Sequence, residues 1–123
     1  MIHISDDDFD AAVEEALASV PPRFQQALDN IAIVTAKEPT AAQLSEAHTH
    51  GGELLGLYQG VPLPRRTTAY AGVLPDKITI FQEPHERVCN TREQLVDQIR
   101  VTVLHELGHY FGFDDAYLHS HGY

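Results

Sequence analysis

Thirteen residues near the end of the chain, Val103 to Asp115 (VLHELGHYFGFDD), hold two histidines, a glutamate, two glycines and two aspartates. His105 and His109 stand four apart, which on a helix is about one turn, so their rings project side by side. Two imidazoles so placed can take two corners of a tetrahedral Zn²⁺ site. Glu106 between them falls beside that point rather than on it, where a general base for an attacking water belongs. A straight helix has no further side chain converging on the same point, so a third ligand must come from beyond its end. Gly112 stands just past the last turn, where a glycine can take positive φ and send the chain back toward the histidines. Asp115, six residues after His109, is then within reach; Asp114, His119 and His121 are its rivals for the third position. Three protein ligands would leave a fourth position for water, and Glu106 to move its proton: the chemistry of peptide-bond hydrolysis without a covalent intermediate.

Positioning these groups requires a long helix and a surface for it to pack on. Asn90, with Glu93 three residues later in capping-box position, predicts a helix over Thr91–Phe111, about 30 Å long, ended by Gly112. At 100° per residue Leu95, Val96, Ile99, Val103, Leu104, Leu107 and Phe111 share one apolar arc, with Tyr110 on the core side. Gln98, Thr102, His105, Gly108 and His109 fall opposite, and Glu106 lies on the border. Glycine inside a helix costs about 1 kcal/mol relative to alanine, so Gly108 predicts a close approach, by a strand of the protein or by substrate.

Upstream, Phe9, Val13, Ala16, Leu17 and Val20 recur at helical spacing and predict an amphipathic helix over Asp6–Val20, capped by Ser5 or Asp6. In PPRFQQALDN, Pro21 and Pro22 suit a loop or a first helical turn, and Phe24 and Leu28 point to a short second helix. Strands are expected at IAIVTAKEP, stopped by Pro39; at LLGLYQG, turning at Gly60; and at DKITIFQEP, running about seven residues from Lys77 until Pro84. Thr40–Gly52 reads as a loop, and PLPRRTTAYAG as irregular. No repeat or linker divides the chain, so one domain over residues 1–123 is expected.

His105, Glu106, His109, Gly112 and Asp115 match the extended zincin pattern H-E-x-x-H-x-x-G-x-x-D, in which an aspartate stands for the third histidine. With TVLHELGHYFGFDD, the trailing LHSHGY, and the upstream GLYQGVPL and PDKITIF, the chain from about Phe9 onward resembles the small bacterial zincin-like metallopeptidases of minimal fold. The resemblance implies an α+β fold, a small mixed sheet packed against an N-terminal helix and a long C-terminal active-site helix. It implies Zn²⁺ as cofactor, His105, His109 and Asp115 as metal ligands, Glu106 as the catalytic general base, and a peptide or protein as substrate. The motif spacing favours Asp115 over Asp114, because adjacent residues after a turn rarely point the same way. Asp114 is left to cap or to hydrogen-bond a ligand histidine. The only methionine is Met1, so a Met-turn beneath the metal has no counterpart here.

The formal net charge of −10 opposes nucleic-acid binding, which draws on Lys and Arg neutralising phosphates, and favours cations or basic peptides as partners. No apolar run approaches the ~20 residues that cross a bilayer, so no membrane partner is expected. A single cysteine, Cys89, excludes an internal disulfide, and MIHISDDDFD lacks an export signal, so a cytoplasmic location is expected. Cys89 reads as a packing residue, and Arg100, inside the apolar arc, must snorkel or meet a carboxylate. His48 and His50 form an H-x-H pair in a polar loop, and Arg65 and Arg66 read as surface charges. His121 reads as part of a frayed tail, while His119 and Tyr117 are expected near the site. Two other functions compete. A zinc-binding domain without turnover would share the site. A metal-dependent endoribonuclease would share the H-x3-H-x5-D spacing, but Glu106 and the acidic surface would repel phosphate.

Overall fold

The structure, a computed structural model, describes residues 1–47, 52–65 and 76–122. His48, His50, Arg66 and Tyr123 lie outside the described residues, as does the side chain of Arg65. The fold is mixed α+β, as expected: six helices and a three-stranded mixed sheet among the described residues.

The first helix, α1, covers Asp6–Ala18. The Ser5 hydroxyl accepts from the Asp8 N–H, and Asp6, Asp7 and Asp8 fill the first turn, where carboxylates meet the positive end of the helix dipole. Phe9, Ala12, Val13 and Ala16 form its buried stripe. Pro22 opens α2 (Pro22–Asp29), where its missing N–H costs nothing. Strand β1 (Ala32–Ala36) follows.

The expected loop after Thr40 instead begins with a helix, α3 (Ala41–Glu46). Its signal was present in the sequence: the Thr40 hydroxyl accepts from the Gln43 N–H at 3.1 Å while the Gln43 side chain accepts from the Thr40 N–H at 2.9 Å, a complete capping box. Strand β2 (Gly56–Gln59) and a 3₁₀ turn at Leu63–Arg65 precede β3 (Lys77–Phe81). The last strand stops three residues short of Pro84. That proline lies in the first turn of α4 (Gln82–Val88), where the backbone donors have no intrahelical acceptor.

Strand order is β1-β3-β2, with β1 parallel and β2 antiparallel to β3. Among the described residues DKITIF is therefore the central strand and GLYQ an edge. Ile78 and Ile80 of β3 are fully buried with Phe9, Leu95, Ile99 and Val103 in one core. Arg87 of α4 forks between Glu38, after β1, and Glu53, before β2, and so ties the approaches of both edge strands to one cation.

The long helix, α5, runs from Arg92 to Tyr110. Thr91, not Asn90, is its cap: its hydroxyl accepts from the Gln94 N–H, while the Asn90 N–H donates to the Gln94 side chain. Leu95, Ile99, Val103 and Leu107 are buried on the predicted arc, and Arg100 meets Asp97 at 3.5 Å. The opposite arc is covered as well. Thr102 lies under β2, and Gly108 under α6 (Asp115–Ser120), a helix that the sequence reading did not foresee. One helix is thus packed on three sides, by α1, by the sheet and by α6.

Candidate metal centre

Helix α5 ends in a Schellman turn: the Gly112 N–H donates to the His109 carbonyl and the Phe113 N–H to the Gly108 carbonyl, both at 2.9 Å. Gly112 has φ +94°, and a Cβ there would also sit 2.6 Å from Pro64 Cγ, so no other residue fits this bend without strain. The chain then reverses. Asp114 caps α6 by accepting from the Tyr117 N–H at 2.8 Å, one of the two roles expected for it. Asp115, the first residue of α6, faces back toward α5.

His105 and His109 Nε2 lie 3.2 Å apart, and Asp115 Oδ1 is 3.0 Å from the first and 2.9 Å from the second. Donors at about 2.0–2.1 Å from a tetrahedral zinc stand roughly 3.3 Å from one another, so this triangle is close to the one a zinc ion requires. Among the described residues only these three bring ligand atoms within 4.8 Å of one another as a metal-holding group. The structure thus brings together the three residues singled out as ligands, with neither His119 nor His121 in the group.

The tautomer of His109 is set by its surroundings. Its Nδ1 lies 2.9 Å from the Phe113 carbonyl, which can only accept, so Nδ1 carries a proton and Nε2 is the nitrogen turned toward the triangle. Burial works against the Asp115 carboxylate, but His105 and His109 outweigh it and hold its pKa below the ordinary value.

Glu106 is buried beside the triangle, its Oε2 3.9 Å from His105 Nε2. Its Oε1 accepts from the Tyr58 N–H of β2 at 2.8 Å. Burial pushes its pKa up to about 7, against the pull of His105 and of the Tyr58 N–H. Desolvation therefore tunes this carboxyl toward proton exchange near neutrality. Gly56 makes the burial possible, since a Cβ there would meet Thr102 Cγ2 at 2.6 Å and the Glu106 Cγ at 3.5 Å. Tyr58 and Gly56 were missed as site residues; a glycine inside a strand pattern, a mark of close backbone approach, was the available signal.

Gly108 has the close neighbour predicted, but it is neither a strand nor a substrate. A Cβ at this position would lie 2.3 Å from Leu118 Cδ2, so the missing side chain is the seat for α6. Tyr117, expected at the site, is instead stacked between Phe113 and His121 along an apolar pocket on the other side of α6. His121 is not frayed: it closes α6, its Nδ1 2.8 Å from the Tyr117 carbonyl. His119 does line the cleft, its ring centre 5.4 Å from that of His105.

The cleft over the triangle measures about 760 Å³. Leu57, Tyr58, Glu46 and Glu53 wall it on one side, Asp114 and His119 on the other, and among its described lining residues there is no lysine or arginine. Among the described residues no helix is long and apolar enough to cross a membrane. A comparison with curated proteins finds no match. A family model does match, over residues 28–123, which takes in the sheet, the paired histidines and the aspartate beyond the bend. By that match the chain belongs to the zincin-like metallopeptidase family.

Proposed function

We propose that this protein is a zinc peptidase in which His105, His109 and Asp115 hold the ion and Glu106 is the general base. The observation that carries this reading is the convergence of three donor atoms at 2.9–3.2 Å with a buried, near-neutral carboxyl beside them. When bound there, zinc would lower the pKa of a water toward about 7 and polarise a carbonyl. Glu106 takes the proton of the attacking water and returns it to the leaving amine nitrogen. The Tyr58 N–H holds that carboxylate in place and ties it to the strand that borders the cleft.

The substrate is an extended peptide laid along β2. Leu55 pairs backbone to backbone with Phe81, and Tyr58, of opposite parity, directs its N–H away from β3. The edge that would take an added strand is therefore the edge that faces the cleft. With Glu46 and Asp114 on its walls and no lysine or arginine among its described lining residues, the cleft favours peptides that carry positive charge over acidic ones.

The test pairs two variants of the zinc-loaded protein. Glu106→Gln is expected to keep zinc and lose turnover by a factor of about 10² to 10⁴ on a peptide library. Asp115→Ala is expected to lose zinc. Unchanged turnover in Glu106→Gln would refute the mechanism, and a wild-type protein that binds zinc but cleaves no peptide would favour a binding domain.

A further inference from the structure

We propose that His119 is a second catalytic residue, whose ring N–H donates to the carbonyl oxygen of the scissile bond as that oxygen gains negative charge. The inference rests on the peptidase reading above and assigns a group that reading leaves unfilled.

Three observations place His119 in this role. First, α6 presents Asp115 and His119 one turn apart, on the same face, toward the pair His105 and His109 on α5. The aspartate reaches the donor triangle; the histidine stands one turn further on, against the outer side of His105 with the ring planes tilted by 37°. Second, His119 lines the cleft but stays outside the group of donor atoms, so it borders the reaction space without competing for the metal. Third, its ring nitrogens have no hydrogen-bond partner among the described residues. The rings of His85 and His109, by contrast, are each engaged by a backbone carbonyl.

The two sides of α5 then divide the labour. Glu106 enters the cleft from the β2 side, held by the Tyr58 N–H, and handles the proton. His119 enters from the α6 side, seated by its neighbour Leu118 on Gly108, and handles the oxygen. A neutral imidazole always carries one N–H, so donation needs no change of charge. The oxygen begins as a weak acceptor and ends as an anion, so a donor beside it strengthens its bond most at the transition state.

The test compares His119→Phe, which keeps an aromatic ring beside His105 but has no N–H, with His119→Gln, which keeps a donor. Both are measured on the best peptide from a library digest of the wild type. Expected for His119→Phe are a kcat about 100-fold lower, a KM within about threefold, and zinc affinity, by chelator competition, within about threefold. A phosphinic analogue of the same peptide should lose about 100-fold in affinity by calorimetry, and His119→Gln should recover part of both losses. A tenfold or greater loss of zinc affinity in His119→Phe would make the residue a ligand and overturn the proposal, as would unchanged kcat and phosphinate affinity. Those results leave the peptidase reading standing. A wild type that cleaves no library peptide would remove both together.

Discussion

At the scale of single residues, the proposed function divides the site into groups that hold and groups that react. His109 is oriented with Nε2 toward the donor triangle because its Nδ1–H donates to the Phe113 carbonyl. Asp115 is pre-set by two imidazoles that keep it ionised. Glu106 is treated in the opposite way, buried until its carboxyl titrates near neutrality. Loss of a partner that only orients a ligand costs about 10- to 100-fold in metal affinity, and loss of the ligand itself costs no less. Asp115→Ala should therefore weaken zinc binding by at least about tenfold in a chelator competition. An Asp115→Ala protein with wild-type affinity would mean that the third ligand lies elsewhere.

At the scale of elements, the decisive contact is α6 against α5. Asp115 faces the histidines because Leu118, one turn along, seats on the bare backbone of Gly108. Gly108→Val puts atoms where the Leu118 side chain lies, and overpacking of this kind costs about 1–3 kcal/mol. Urea unfolding should show that loss, and zinc affinity should fall with it because α6 is levered away. Leu118→Ala in the same chain should recover part of the zinc affinity, which separates displacement of α6 from general misfolding. Gly112→Ala strains a positive-φ bend and meets Pro64, and should also destabilise, by about 1–2 kcal/mol, with the C-terminal helix opening first by hydrogen exchange. The boundary between β3 and α4 depends on His85, fully buried, with Nδ1 2.7 Å from the Phe81 carbonyl and Nε2 3.0 Å from the Thr102 hydroxyl.

At the scale of the whole molecule, pH and metal act on stability through these same contacts. Burial lowers the pKa of His85 from 6.5 to about 4, so the unfolded chain binds a proton more readily than the folded one between those values. Stability from this group is complete above about pH 6.5 and is lost as pH falls toward 4, by about 3 kcal/mol in all. Urea midpoints measured from pH 7 to pH 4 should fall accordingly, and a His85→Gln protein, less stable at neutrality, should lack that component of the slope. Zinc that binds only the folded chain should stabilise it by about 2.7 kcal/mol at a hundred times its Kd, an increase that a chelator reverses. The paired histidines, the glutamate between them and the glycine bend were legible in the sequence because they are local. Their spacing along one helix and the φ demanded by one turn determine their relation whatever the rest of the chain does. The capping box at Thr40 was equally local and simply went unread. What only the tertiary structure decided are the relations between residues far apart in the chain. It made GLYQ the edge strand and DKITIF the central one, and it buried Glu106 against the Tyr58 N–H, 48 residues away. It also filled the gap at Gly108 with Leu118 and so turned His119 into the cleft. Periodicity records which face of a helix is apolar, but a polar face covered by a neighbouring strand or helix has the same pattern as one covered by water, and only packing tells them apart.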